Sequence, residues 1–184
     1  MEPASDAYLV ERAQAGYLDA FEELAARHRG RAYRVALRLL ESPADAEDVA
    51  QESLVQAWQS LPSFRSDASF ASWLYRIVVN KSRDVQRHTR TAPQPVDLQD
   101  DGLQHCLPAT PDSAQVVEAD TTTEALRHAI AALPFDLRAP LVLCEFEQCS
   151  YVQAAAVLGL SEPTVRGRLT RARRELVQQM RGWS

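Results

Sequence analysis

At 184 residues and 20.5 kDa, with 46% hydrophobic and 24% charged residues, the chain has the composition of a folded globular protein able to bury a real core. No segment approaches the roughly eighteen apolar residues of a membrane span and no basic flank precedes an apolar run, so a cytoplasmic protein without membrane insertion is expected. Cys106, Cys144 and Cys149 lack CxxC spacing, which argues against a disulfide framework or a structural zinc site; reduced thiols are expected, with no metal and no other cofactor.

In chain order, Phe21, Leu24, Ala25, His28, Ala32, Val35, Ala36 and Leu39 recur at the i, i+3, i+4, i+7 spacing of one helical stripe. This predicts a core-packing helix, with His28 a packing residue inside it. Ser42-Pro43-Ala44-Asp45 then announces a second helix, with a hydroxyl at the N-cap, proline in the first turn and a carboxylate three residues on. On that helix Ala46, Val49, Ser53 and Ala57 share one side, while Asp48, Gln51, Glu52, Val55 and Gln59 fall on the other. The outer face is acidic with an apolar centre, which suits either solvation or docking on a basic partner.

The loop Phe64-Arg65-Ser66-Asp67-Ala68-Ser69-Phe70 has aromatics at its ends and polar residues between them. Such a loop suits an unstacked base, although Phe70 and Trp73 individually suit a core better, so that the polar residues and the basic face are what suggest readout. A third helix, roughly 69–88, carries Phe70, Trp73, Leu74, Ile77, Val78 and Val85 inward and basic residues outward.

The formal net charge of −5 hides a segregation of charge. Between Arg76 and Arg90 five basic residues face Asp84 alone, and from Gly159 onward six arginines face Glu162 and Glu175. The stretch 91–123 holds six acidic residues and no lysine or arginine, with Pro93, Pro95, Pro108 and Pro111 breaking any helix. Two basic patches on either side of an acidic spacer point to two separate contacts with a polyanion. The expected fold is all-α: two small helical domains, 1–91 and 122–184, joined by a flexible linker over 92–121.

Near the C-terminus a helix opens at Leu133-Pro134 and runs to Glu147. A short helix follows from Ser150 or Tyr151 to Leu158, Gly159 turns the chain, and Ser161 caps a long last helix, which together make a helix-turn-helix. In the last helix Val165, Leu169, Ala172 and Leu176 form the inward stripe, leaving Pro163, Arg166, Gly167, Thr170, Arg171 and Arg174 outward. Arginine near the start of a recognition helix can fork onto guanine or neutralise phosphate. No GxxxxGK loop, no plausible Ser-His-Asp arrangement and no metal cluster argues for catalysis, so the chain is not expected to be an enzyme.

Asp45-Ala46-Glu47-Asp48-Val49-Ala50-Gln51-Glu52, Ala57-Trp58, Phe64-Arg65 and Ser72-Trp73-Leu74-Tyr75-Arg76-Ile77-Val78-Val79-Asn80 resemble region two of the extracytoplasmic-function sigma factors of the sigma-70 family. Leu158-Gly159-Leu160-Ser161, Thr164-Val165-Arg166 and Leu169-Thr170-Arg171-Ala172-Arg173 resemble region four. The resemblance implies an alternative sigma factor that binds core RNA polymerase through the beta-prime clamp helices and the beta flap, directs initiation at its promoters and is held inactive by an anti-sigma factor. It assigns polymerase docking to Asp45, Asp48, Gln51 and Glu52. Minus-ten DNA falls to Phe64, Arg65, Ser66, Phe70, Arg76, Asn80, Lys81 and Arg83. Minus-thirty-five DNA falls to Arg166, Thr170 and Arg171, with Thr164, Arg168 and Arg174 as phosphate contacts.

Tyr151-Val152-Gln153-Ala154-Ala155 departs from the family's frequent Tyr-x-Glu-Ile-Ala, and Pro163 and Gly167 stand where glycine and serine are common. These changes leave the minus-thirty-five preference open. The rival reading is a free-standing helix-turn-helix regulator acting without polymerase; the acidic second helix is the feature such a protein would not need.

Overall fold

The computed structural model describes residues 4–65, 67–91 and 116–181. Among them are α-helices α1 (Asp6–Gln14), α2 (Leu18–Leu40), α3 (Pro43–Ser60), α4 (Phe70–Thr91), α5 (Val116–Ala132), α6 (Phe135–Leu141), α7 (Tyr151–Leu158) and α8 (Glu162–Arg181). The expected all-α architecture is what the chain adopts.

Helices α1 to α4 form a first bundle in which α2 packs on α1, α3 and α4. The stripe read from the sequence is the buried side of α2: Phe21, Leu24, His28, Ala32, Val35, Ala36 and Leu39 all lie in the core, with Ala25 half-buried beside them. His28 is indeed a packing residue, its Nε2 held 2.7 Å from Asp6 Oδ2 at the start of α1 and its ring 5.2 Å from that of Phe70. Helix α2 stops at Glu41, a non-glycine residue at φ 67° whose N–H bonds back to Leu37 O at 2.9 Å. One residue later Ser42 Oγ accepts the Asp45 N–H at 3.3 Å and Pro43 takes the first turn of α3, as the sequence predicts.

The second bundle comprises α5 to α8, and α5 begins at Val116, within the stretch read as linker. Residues 92–115, Cys106 among them, lie outside the described residues. Where the sequence predicts one helix up to Glu147, the chain makes α6, then a π-helical turn, Val142–Phe146, closed by Glu147 N–H on Val142 O at 3.2 Å. Pro140 lies inside α6 just before this turn and has no N–H to give to the Asp136 carbonyl one turn earlier. Arg168 Nη1 on α8 reaches that carbonyl instead, at 3.4 Å. Ser150 and Gln153 form a reciprocal capping box on α7, Gly159 ends it in the left-handed region at φ 66°, and Ser161 Oγ accepts Thr164 N–H at the start of α8. The helix-turn-helix is built as its sequence predicts.

The bundles do not stand apart. Helix α4 packs on α7, α2 meets the π-turn, α5 and α6, and buried residues of both bundles belong to one connected apolar core. Cys149 is buried and Cys144 half-buried, both as free thiols.

Candidate docking and nucleic-acid interfaces

The small buried side chains Ala46, Val49, Ser53 and Ala57 seat α3 in the core and turn its other side to solvent. Asp48, Gln51, Glu52, Val55 and Gln59 are all exposed there, and Asp45 is half-buried at the start of the same stripe. Val55 is 56% exposed, an isolated apolar centre on an acidic face. Beside this face Gln51 Nε2 donates to Glu47 at 3.0 Å and Arg29 meets the same carboxylate at 2.5 Å, and these two bonds hold the Glu47 carboxyl below its ordinary range. Glu52 accepts from Lys81 Nζ at 2.9 Å, so a groove lined by Gln51, Glu52, Val55, Gln56, Gln59 and Lys81 joins α3 to α4.

The loop before α4 separates its aromatic ends from its polar middle. Phe64 and Phe70 are only 8% and 3% exposed, with the Phe64 ring edge-on to Phe70 at 6.5 Å and 4.8 Å from the Trp73 ring. Their rings therefore build the core under the loop and do not lie on its outer surface. Arg65, Asp67, Ala68 and Ser69 are exposed, while Ser66 lies outside the described residues. Along α4, Arg76 and Asn80 are exposed at i, i+4 spacing. Lys81 and Arg83 are engaged: the first by Glu52, the second by Asp136 Oδ1 at 3.4 Å and over the Phe135 ring at 5.2 Å.

On α8, Val165, Leu169 and Ala172 are buried and Leu176 half-buried, leaving Pro163, Thr164, Arg166, Gly167, Thr170, Arg171 and Arg174 exposed. Arg166 pairs with Glu162 at 2.6 Å and lies over the Tyr151 ring, and Arg171 pairs with Glu175 at 3.4 Å. Single exposed pairs of this kind contribute about 0–1 kcal/mol, so a phosphate or guanine can displace the carboxylate at little cost. Arg168 differs. It is half-buried and its Nη1 meets both the carbonyl and a carboxylate oxygen of Asp136, each at 3.4 Å.

Sequence reasoning missed the residues that join the bundles. Asp136 holds Arg83 of the first bundle and Arg168 of the second with one carboxylate oxygen. Arg138, 4% exposed, donates to Leu39 O at 3.0 Å, Glu41 Oε1 at 2.8 Å, Leu133 O at 3.0 Å and Ala131 O, so one guanidinium serves the C-terminal ends of both α2 and α5. Burial draws its pKa down, only partly offset by Glu41, yet a guanidinium stays charged in a protein. Tyr75 Oη donates to Glu147 Oε2 at 2.8 Å, and Arg38 lies 3.8 Å from the same carboxylate and over the Phe146 ring. Burial, then the Glu147 bond, pushes the Tyr75 phenol well above its ordinary value.

Among the described residues no group of His, Cys, Asp and Glu side chains could hold a metal ion, and no helix is long and apolar enough to cross a membrane.

Two family models match the chain: sigma-70 region 2 over residues 24–91 and sigma-70 region 4 over residues 123–176. The RNA polymerase sigma-H factor of Pseudomonas aeruginosa is 34% identical over 173 residues, which cover 91% of this chain and 90% of the relative. The ECF RNA polymerase sigma factor SigM of Mycobacterium tuberculosis is 34% identical over 174 residues, covering 95% of this chain and 84% of that one. Among solved structures, CnrH in complex with the cytosolic domain of CnrY superposes with a TM-score of 0.73 at 30% identity, covering 97% of this chain and 99% of CnrH.

Proposed function

The chain belongs to the sigma-70 family of RNA polymerase sigma factors, among its extracytoplasmic-function members, and from that premise we propose how its surfaces divide the work of promoter recognition. As a sigma factor it binds core RNA polymerase and directs initiation, and the polymerase performs the chemistry. The exposed acidic stripe of α3, Asp45, Asp48, Gln51 and Glu52 around Val55, docks on the beta-prime clamp helices. The polar middle of the loop before α4, with Arg76, Asn80, Lys81 and Arg83, faces minus-ten DNA. The outer face of α8 reads the minus-thirty-five element through Arg166, Thr170 and Arg171, with Thr164 and Arg174 on phosphate. Arg168 reaches DNA only after giving up Asp136.

Two weak DNA contacts tethered on one polymerase gain specificity together that neither has alone. The reading places the protein in the cytoplasm. It also includes an anti-sigma partner that clasps both bundles, in keeping with the solved complex of CnrH with the cytosolic domain of CnrY.

The observation that carries the assignment is the division of charge between one exposed acidic helix face with an apolar centre and a separate exposed arginine face. The test is transcription in vitro by core polymerase, with and without the chain, on a pool of promoter fragments from its genome. Core-dependent initiation at specific fragments is expected, and reversal of Asp48 and Glu52 to lysine should weaken core binding by about tenfold or more, since like charges then face each other across the interface. DNA binding by the wild-type chain without core-dependent initiation would make it a free-standing regulator instead.

A further inference from the structure

Gln14, the last residue of α1, lies outside residues 24–91 that the region 2 model matches, and nothing in its local sequence marks it. Its side-chain amide spans the start of the minus-ten loop. Nε2 donates to Leu61 O at 3.0 Å and to Phe64 O at 2.8 Å, one N–H for each carbonyl. Leu61 O also accepts Phe64 N–H at 3.0 Å, so both its lone pairs are used and the Leu61–Ser63 turn is locked as it delivers the loop.

The mount for this amide is rigid. Leu9, Val10 and Ala13 bury one side of α1, Ser5 Oγ caps its start, and Asp6 is held by His28 at 2.7 Å and Arg27 at 3.2 Å. At the far end of the loop Ser69 Oγ accepts Ser72 N–H at 3.2 Å and donates to Ser72 Oγ at 2.9 Å, which fixes the entry to α4. The exposed residues Arg65, Asp67 and Ala68 hang between these two pins, with the Phe64 and Phe70 rings buried beneath.

We propose that Gln14 is a positioning residue for promoter opening: it fixes the backbone at the start of the minus-ten loop so that the loop meets an extracted base already ordered. The inference rests on the sigma reading above. Extracting a base from the duplex is costly, and a loop that must also be ordered at that moment binds it less tightly than one held in advance. Glutamine suits the task because it presents two donors and no charge. Glutamate of the same shape would set acceptors against acceptors, leucine would fill the space without a donor, and lysine restores a donor.

The test uses holoenzyme assembled from core polymerase and full-length chain, on the promoter fragment that gives the strongest core-dependent transcript. Opening is read by permanganate reactivity of non-template thymines around minus ten, beside affinity for core and affinity for a duplex carrying only the upstream element. Gln14→Leu should lower the opening equilibrium about five- to tenfold, the worth of about one net hydrogen bond. Gln14→Glu should lower it further, and Gln14→Lys should recover part of the loss. Core affinity and upstream-duplex affinity should not change, while melting temperature should fall by only a few degrees as the two bonds are lost. Unchanged opening in Gln14→Leu and Gln14→Glu overturns the proposal. So does a parallel fall of opening, core affinity and melting temperature, which would make Gln14 a packing residue only. A wild-type chain that initiates at no fragment overturns the sigma reading itself and this inference with it.

Discussion

The two bundles start their helices alike, and they differ in which of them supplies the side chain that closes C-terminal ends. In the first bundle α1 and α3 are closed at their N-terminal ends by near neighbours, Ser5 and Ser42, each a hydroxyl three residues from the N–H it accepts. The second bundle does the same where α7 and α8 begin, but the C-terminal carbonyls of α5 are served by Arg138. That guanidinium serves the end of α2 in the first bundle as well. The helix-turn-helix is thus locally specified, while the segment carrying it is fastened by long-range ion pairs and hydrogen bonds to carboxylates: Arg138 to Glu41, Tyr75 to Glu147, Asp136 to Arg83. An α6 with Pro140 inside it gains from such support, because one of its carbonyls depends on a side chain from α8.

The sharpest way to break this comparison is Arg138→Met. Methionine fills much of the space but leaves the carbonyls of Leu39, Ala131 and Leu133 without their donor, at a cost of about 3 kcal/mol in urea unfolding. A loss below about 1 kcal/mol would mean that the carbonyls find water and the bundles need no fastening.

Asp136→Ala tests the joint by a different reading. Arg83 and Arg168 lose their common carboxylate, so the isolated chain should bind a short mixed-sequence duplex about threefold more tightly at low salt, with a salt dependence steeper by up to about one. An unchanged affinity would place both guanidiniums away from DNA.

The smallest effect is at alkaline pH. Burial, then Cys144 and Glu147, pushes the Cys149 thiol up from 9 to about 11, so the fold holds the neutral form. Between those values the unfolded chain has given up this proton and the folded chain has not. The stabilisation is therefore complete below pH 9 and falls as the pH rises towards 11. The urea midpoint should drop across this window, and Cys149→Ala should remove part of that drop.

Where a feature repeats or closes over a few residues, it was legible in the sequence. The stripe of α2, the Ser42-Pro43 start, the inward residues of α8 and the Gly159 turn are all consequences of helical period and of backbone groups that must be satisfied nearby. The candidate faces were legible for the same reason, since the side of a helix that is not buried is exposed. The loop was harder. The residues by themselves favoured the core for Phe70 and Trp73 while the resemblance gave Phe64 and Phe70 to DNA, and the meeting of the three rings in space puts them in the core. The π-turn was not legible, and the carbonyl that Pro140 leaves without its helical partner is met by a residue of another helix.

By itself, then, the sequence determined α2, α3, α4, α7 and α8, the caps at Ser42 and Ser161, the buried sides of these helices and the family. Tertiary structure alone decided which charges are engaged across helices. Arg83, Arg168, Glu52 and Lys81 read as surface charges along the chain, yet each has a partner on another helix, as does Arg138, and Gln14 has its partners in the turn and loop before α4. Periodicity says which side of a helix turns outward. It carries no information about which other outward side it will meet, because that depends on how two amphipathic surfaces far apart in the chain come together.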